Sequence, residues 1–225
     1  MAFQLYEFKN TTQVSTALAQ AVINSIQKEL KQKDSINIAF SGGKSPLDFL
    51  KILSTFECEW QKCNISLVDE RLVESHHPDS NAGVIKNYFL QNSAKVANFT
   101  PFFNSLSPID VILKEANHTY KQPNLAILGM GNDGHTASLF PNALDFKESL
   151  TTEQNIVFIE PQNAPHKRLS MSLSALQKCD KLFLLIIGDE KKQIFNEAAK
   201  NININLPISY ILHSKEVNCD VYFSK

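Results

Sequence analysis

The chain has 225 residues, of which 43% are hydrophobic and 20% are charged, and its formal net charge is −1. This near-neutral balance argues against a surface that binds nucleic acid or an anionic membrane. No apolar run is long enough to span a bilayer, and the first residues lack the apolar core of a signal peptide. We predict one domain over residues 1–225 with a substantial core.

The cysteines bear on the compartment. The chain contains four, and none belongs to a CxxC pair: Cys58, Cys63, Cys179 and Cys219. Scattered cysteines of this kind are typical of reduced thiols. We therefore predict a cytoplasmic protein.

Predicted strands and helices alternate along the chain. Apolar patterning and turn residues predict strands at 3–8, 36–40, 65–68, 124–128, 156–160, 168–173, 181–187 and 220–223. They predict helices at 12–31, from 46 onward, and at 81–90, 108–120 and 189–200. Repeated strand–helix units favour an α/β, doubly wound fold, in which helices cover both faces of a largely parallel sheet. Such sheets bind ligands at the carboxyl ends of their strands.

The loop 41–44 (SGGK) follows the second predicted strand. We expect Ser45 to cap a helix whose first position is Pro46. Free backbone N–H groups of a glycine loop at a helix amino terminus bind anions. The loop resembles the end of a P-loop, but that motif requires a glycine where this chain has Ile38. A phosphate monoester is therefore the favoured ligand, and an ordinary strand–turn–helix connection is the alternative.

A second cluster, Asp69-Glu70-Arg71, stands at the end of the third predicted strand. The planar guanidinium of Arg71 can grip a carbonyl, hydroxyl or phosphate oxygen. We expect Asp69 to hold the orientation of Arg71. The alternative is a surface ion pair between Arg71 and one of the two acidic residues.

Two adjacent histidines, His76 and His77, and then Asp79 follow this cluster. Neighbouring histidines point in different directions, and no further ligand follows at a spacing typical of metal sites. We therefore predict no metal site, and we interpret residues 79–81 as the cap of a helix that runs to about residue 90.

The most informative segment is 128–141, LGMGNDGHTASLFP. Its three glycines let the backbone turn sharply and approach a ligand closely. Asp133 and His135 place a carboxylate beside an imidazole, the side chain that exchanges protons near neutral pH. Because they follow a predicted strand, the segment is typical of an active-site loop.

The spacing of the three glycines also matches the dinucleotide-binding fingerprint. That fingerprint requires a full helix after the third glycine and an acidic residue about 20 positions further on. Glu153 and Glu160 lie near the required distance, but Pro141 interrupts any helix after about two turns. The glycine motif alone is weak support for a nucleotide site.

Taken in order, the motifs resemble those of the 6-phosphogluconolactonases over nearly the whole chain. The matching segments are 41–46 (SGGKSP), 69–71 (DER), 79–81 (DSN), 129–141, 165–170 (PHKRLS) and 188–191 (GDEK). The resemblance implies a fold related to glucosamine-6-phosphate deaminase and ribose-5-phosphate isomerase. It implies hydrolysis of 6-phospho-D-glucono-1,5-lactone with neither metal nor organic cofactor. The implied partner is a small sugar phosphate, and no protein partner is predictable.

The resemblance also implies roles for twelve residues. His135 is expected to act as a general base, Asp133 to orient it or merely to cap the loop, and Arg71 to contact oxygens near the reacting carbon. The expected substrate-binding residues are Ser41, Gly42, Gly43, Lys44, Asp69, Asn81, Gly131, Arg168 and Lys191. Within this set the glycine loop is expected to cradle the phosphate, with Arg168 and Lys191 adding positive charge. Whether Lys44 meets the phosphate or the solvent stays open.

Two other functions use the same fold. The deaminases share the SGG loop, but their glycine segment continues as AFNEP with a glutamate that takes part in ring opening. This chain has ASLFP at 137–141, and it has Arg71 where the deaminases usually carry an aromatic residue. A non-catalytic sugar-phosphate sensor usually carries an added DNA-binding segment, and the sequence shows no basic helix–turn–helix. The departures of this chain from the lactonase pattern are mild. It has Ser45 where threonine is commoner, and Leu169-Ser170 where isoleucine or valine with threonine is usual.

Overall fold

A computed structural model describes residues 3–225. Within that range the strands are β1 (Phe3–Phe8), β2 (Ile36–Phe40), β3 (Cys63–Leu67), β4 (Asp69–Arg71), β5 (Asn98–Phe99), β6 (Leu125–Gly129), β7 (Ile156–Ile159), β8 (Arg168–Met171), β9 (Lys181–Ile187) and β10 (Cys219–Ser224). The α-helices are α1 (Thr11–Leu30), α2 (Leu47–Ser54), α3 (Asn81–Val84), α4 (Ile109–Thr119), α5 (Phe146–Thr151), α6 (Leu173–Gln177), α7 (Asp189–Ala198) and α8 (Ile208–Leu212).

Seven strands form a parallel central sheet in the order β1-β10-β9-β6-β2-β3-β5. One of its interior strands, β9, is a continuous apolar run after Lys181, and residues 182–186 are fully or almost fully buried. Such runs are typical of parallel strands that are covered on both faces. Helix α1 packs along four strands of this sheet. The predicted doubly wound α/β class is confirmed.

Helix α1 shows why the local predictions succeed. The Asn10 side chain accepts a hydrogen bond from the Gln13 backbone N–H at 2.9 Å, which satisfies a free donor at the helix start. Its buried face repeats at helical spacing through Val14, Leu18 and Val22. The predicted bounds, 12–31, differ from the observed helix by one residue at each end.

β2 and β6 are neighbours in the sheet, and their carboxyl ends form the edge at which a ligand is expected to bind. Phe40 pairs with Ile127 across the two strands, and the next backbone N–H, that of Ser41, donates to the Ile127 carbonyl at 2.9 Å. From β2 the strand order runs to β3 on one side, whereas from β6 it runs to β9 on the other. This is the topological position at which open α/β sheets leave a crevice for a ligand.

Two predicted strands belong to a different sheet. β7 and β8, predicted as further strands of the largely parallel sheet, pair antiparallel with each other, and β8 pairs antiparallel with β4. Only Val68 separates β3 from β4, and its carbonyl accepts from the Met171 N–H at 2.8 Å. The register places Arg71 opposite Arg168. The apolar pattern of a short strand does not reveal its direction, so the sequence did not separate the two sheets.

Two helix starts also differ from expectation. Ser45 does not cap α2: the helix begins at Leu47 after Pro46, and no side chain bonds its free N–H groups. The predicted helix 81–90 is a four-residue α-helix capped by Ser80, followed by a π-helical turn over Ile85–Phe89.

Among residues 3–225, no helix has the length and apolar character required to cross a membrane.

Candidate active site

A cavity of about 240 Å³ opens at the carboxyl edge beside β2 and β6. Eleven of the twelve predicted site residues line it: Ser41, Gly42, Gly43, Lys44, Asp69, Arg71, Asn81, Gly131, His135, Arg168 and Lys191. The twelfth, Asp133, does not line the cavity but is hydrogen-bonded to His135, which does. The structure therefore brings together residues from all six of the motif segments.

His135 and Asp133 form a hydrogen-bonded pair. The Asp133 Oδ1 atom lies 2.5 Å from His135 Nδ1 and 3.2 Å from the His135 backbone nitrogen. Burial on its own raises the pKa of Asp133, but the hydrogen bonds from His135 outweigh it, and the net pKa lies below the usual value. An ionised carboxylate only accepts hydrogen bonds, so the proton of the neutral imidazole sits on Nδ1. The other nitrogen, Nε2, then carries a lone pair.

The surroundings of His135 restrict where its ring can lie. A Cβ atom on Gly131 would overlap the His135 ring and crowd Asp133 Oδ1. The Phe140 ring also packs against the imidazole, with centroids 4.1 Å apart and the ring planes tilted by 33°. The sequence predicted that Gly131 contacts substrate. The structure adds a steric reason for a glycine at this position, because no other residue leaves room for this imidazole.

Arg71 is held differently from the prediction. We expected Asp69 to orient it, with a surface ion pair to Asp69 or Glu70 as the alternative. Instead its Nη1 donates to the Asp79 backbone carbonyl at 2.6 Å, and within residues 3–225 its guanidinium forms no salt bridge. The Glu70 carboxylate accepts from the Arg71 backbone N–H, not from its side chain. The prediction of a carboxylate partner is therefore wrong.

Asp69 instead joins three other parts of the pocket. Its Oδ2 accepts from the Ser138 hydroxyl at 2.6 Å and lies 4.0 Å from Arg168 Nη1. Its Oδ1 and its backbone carbonyl accept from the Asn81 side-chain amide. The Ser138 backbone N–H in turn donates a hydrogen bond to the Ser170 hydroxyl oxygen at 3.0 Å. The sequence did not mark either serine.

Glu70 is a further side chain that the sequence did not assign to the site. It is 2% exposed, and four donors surround its carboxylate: the backbone N–H groups of Arg71, Asn81 and Ala82 and the Ser80 hydroxyl. Burial raises the pKa of Glu70, and the backbone hydrogen bonds oppose that shift. Glu70 thus ties β4 to the start of α3. The only sequence signal was its place between Asp69 and Arg71.

The SGGK loop closes tightly over Asn81. A Cβ atom on Gly42 would overlap the Asn81 side chain, whereas Gly43 has φ +85°, a conformation that favours glycine. The loop therefore presents its backbone to the cavity without side-chain interference. Lys44 follows at the cavity wall.

Two cations close the cavity from the other side. Lys191, in the first turn of α7, lines the cavity and pairs with no acidic group in the described chain. Burial lowers its pKa because the charged form is poorly solvated there. Arg168 is more deeply buried, pairs with Asp69, and donates to the Pro165 carbonyl at 3.1 Å. Lys191 is therefore the freer of the two to meet an anionic ligand.

Several polar atoms of the pocket are buried without a protein partner. In residues 3–225, six buried side-chain polar atoms make no hydrogen bond, and four belong to the cavity wall: Ser41 Oγ, Arg71 Nε, Asn81 Oδ1 and Arg168 Nε. A buried unpaired polar atom destabilises the fold by about 1–3 kcal/mol. Their concentration here indicates a site built for a polar, oxygen-rich ligand.

Comparison with known proteins defines the class. A family model described as glucosamine-6-phosphate isomerases/6-phosphogluconolactonase matches residues 9–219. The chain belongs to this family, and the resemblance predicted from its motifs is confirmed.

Particular relatives are 6-phosphogluconolactonases. One from Helicobacter pylori strain J99 is 46% identical over 228 residues, covering 100% of both chains. The crystal structure of one from Shewanella baltica has a TM-score of 0.93 at 28% identity, covering 98% of this chain and 97% of that one. A monomeric glucosamine-6-phosphate deaminase has a TM-score of 0.81 at 15% identity, covering 99% and 97%. This last likeness shows the shared fold alone.

The hydrogen-bonded environment of Glu70 predicts that Glu70→Gln is destabilising. A glutamine amide must turn its NH₂ group toward donors, at least one of them a backbone N–H that cannot reorient. We expect the free energy of unfolding to fall by about 1–3 kcal/mol, measured by urea denaturation at neutral pH. The matched control is Glu74→Gln, which is exposed and should change stability by less than about 0.5 kcal/mol. Equal denaturation midpoints for the two variants would contradict the proposed bracing role.

Proposed function

We propose that this chain hydrolyses 6-phospho-D-glucono-1,5-lactone to 6-phospho-D-gluconate, the second step of the oxidative pentose phosphate pathway. The observation that carries the proposal is the His135–Asp133 pair. It leaves an imidazole lone pair at a cavity whose other walls carry cations and unpartnered polar atoms. Family membership and the names of the relatives point to the same reaction.

In the proposed mechanism His135 Nε2 draws a proton from a water molecule as that water attacks the C1 carbonyl carbon. Asp133 keeps the Nδ1 proton in place and stabilises the positive charge that forms on the ring. The same imidazolium then donates its Nε2 proton to the ring oxygen as the C1–O bond breaks. Because the pKa of Asp133 is lowered, its support is present at neutral pH and is lost only as the pH falls through that lowered pKa.

Arg71 is proposed to stabilise the negative charge that develops on the former carbonyl oxygen. Its Nη1 is bonded to the Asp79 carbonyl, so the guanidinium is held in place before substrate arrives. Its buried Nε has no protein partner. Donors fixed before the reaction stabilise developing charge more effectively than donors that must reorganise.

The phosphate is proposed to lie against the backbone of Gly42 and Gly43, with Lys44, Lys191 and Arg168 around it. The glycine loop precedes α2, so the partial positive charge of the helix amino terminus adds to these cations. A dianion beside Lys191 would also offset the burial of its ammonium group.

Deamination is the alternative reaction in this family, and the structure gives a reason to disfavour it. The position that holds the ring-opening glutamate in the deaminase pattern is Phe140, which is 7% exposed and packs against the His135 ring. A phenyl ring cannot exchange a proton. The apolar contact instead restricts the motion of the imidazole.

Three further properties belong to the same proposal. We propose that residues 1–225 act as one domain, which the continuous core cluster supports, and that the protein is cytoplasmic, which its four free cysteines support. We also propose that the reaction requires no metal or organic cofactor. Lactone hydrolysis needs a base, a charge stabiliser and phosphate-binding groups, and the side chains of the pocket supply all three.

The direct test uses purified protein with the lactone and, separately, with glucosamine 6-phosphate, each with and without EDTA. We expect faster lactone opening that EDTA leaves unchanged, and no release of ammonia from the amino sugar. The spontaneous opening of the lactone is subtracted. Ammonia release, or lactone opening at the uncatalysed rate, would overturn the proposal.

A second test concerns His135. We expect His135→Ala to lower kcat by about 10²–10⁴-fold, because it removes the general base. Asp133→Asn should also lower kcat, since the uncharged amide no longer stabilises the imidazolium. His118→Ala, at an exposed position of α4, is the control and should keep the full rate. A near-normal kcat for the folded His135→Ala variant would exclude this residue as the base.

A third test concerns the phosphate. Lys191→Ala should raise KM for the phosphorylated lactone by roughly 10- to 100-fold and leave kcat nearly unchanged, because a remote charged contact is present in ground and transition states alike. Inhibition by inorganic phosphate should weaken in parallel. Lys200→Ala, which removes an exposed lysine two residues beyond the other end of α7, is the control. Arg168→Ala is a poorer probe because it leaves the buried Asp69 without its cation. An unchanged KM would remove Lys191 from the phosphate site.

A further inference from the structure

A cluster of metal-ligating side chains lies beside the cavity, outside its lining. His77 and Asp79 come from the loop between β4 and α3, and His166 comes from the loop before β8. One donor atom from each lies within 4.8 Å of the other two. Spacing along the chain led us to predict no metal site at His76, His77 and Asp79. The third donor is separated from Asp79 by 87 residues, so spacing did not reveal it.

The donor distances are close to those of a metal centre. Asp79 Oδ2 lies 2.9 Å from His166 Nε2 and 3.9 Å from His77 Nδ1. Ligand atoms of a tetrahedral zinc site, with bonds of about 2.0 Å, stand about 3.3 Å apart. These two distances bracket that value, and all three donor atoms lie within 4.8 Å of one another. The two imidazole rings meet edge to face with centroids 5.3 Å apart.

The chemistry of the donors favours a transition metal over calcium or magnesium. Two imidazole nitrogens and one carboxylate oxygen form a ligand set that suits Zn²⁺, whereas the hard cations prefer oxygen ligands alone. The Asp79 carboxylate oxygen Oδ2 faces both imidazoles. No lysine or arginine in residues 3–225 forms a salt bridge with it.

The ligand loops are also attached to the two arginines of the pocket. The Asp79 backbone carbonyl accepts from Arg71, and the carbonyl of Pro165, next to His166, accepts from Arg168. A metal ion that joins Asp79 to His166 therefore joins the two segments that position these guanidinium groups.

We infer that His77, Asp79 and His166 form an accessory binding site for Zn²⁺ that clamps the loop after β4 to the loop before β8. Binding replaces the hydrogen bond between His166 Nε2 and Asp79, and the one that His77 Nδ1 accepts from the Asp79 backbone N–H at 3.1 Å. In a neutral ring the proton moves from Nε2 to Nδ1 by exchange with water, and the freed Nε2 lone pair coordinates the ion. A charged ring releases one proton to solvent instead. Water completes the coordination. This site takes no part in the proposed hydrolysis and does not depend on it.

The test is zinc binding by the full-length protein after removal of metal with EDTA and dialysis. Zinc chloride is titrated against the protein in competition with a chromophoric chelator, and the unfolding temperature is measured with and without zinc. We expect one equivalent to bind and the unfolding temperature to rise. His77→Ala and His166→Ala should each weaken binding by at least about tenfold, because each removes one ligand. All three ligand side chains lie at the surface or are half-buried, so the variants should fold.

His76→Ala is the matched control: this exposed histidine is adjacent to His77 and stands outside the cluster. It should bind zinc as the wild type does. His135→Ala distinguishes the accessory site from the pocket and should likewise retain binding. The inference is overturned if the wild type binds no stoichiometric zinc, if either ligand variant binds as tightly as the wild type, or if binding depends on His76 or His135.

Discussion

Two adjacent buried carboxylates, those of Asp69 and Glu70, hold the pocket together. Side chains alternate across a strand, so the two point in opposite directions and collect hydrogen bonds from different segments. Glu70 fastens the start of α3, while Asp69 fastens Ser138 and Arg168. Burying a carboxylate is unfavourable unless donors surround it, so the segments that carry these donors must come together as the chain folds. Because these segments also line the pocket, the contacts that satisfy the two carboxylates assemble the binding surface as well.

This arrangement separates the structural charges from the reactive ones. The buried carboxylates accept hydrogen bonds from groups of the protein, whereas Asp133 and His135 are partly exposed at the cavity and can exchange protons with water. Cations line the remaining walls although the whole chain has a net charge of −1. A local concentration of positive charge of this kind attracts an anionic substrate even when the protein as a whole does not.

Most of the site was predictable because its residues belong to short motifs at strand ends. Eleven of the twelve predicted residues line the cavity, and Asp133 supports one of them. The sequence did not predict which groups of the site hydrogen-bond to one another. Arg71 is positioned by a backbone carbonyl instead of Asp69, and Ser138 and Ser170 act through hydrogen bonds across the pocket. Such contacts join residues distant in sequence, and no local pattern records them.

The sequence alone determined the elements and their chemistry: apolar periodicity predicts a strand or a helix, and glycine, aspartate and histidine at a strand end predict an active-site loop, because these properties depend on neighbouring residues. Tertiary structure decided the directions and the partners. β7 and β8 pair antiparallel in a separate sheet, and His166 joins Asp79 from 87 residues away. Pairing of this kind is decided by the burial and hydrogen bonding of the whole chain, so it becomes visible only when the chain is folded.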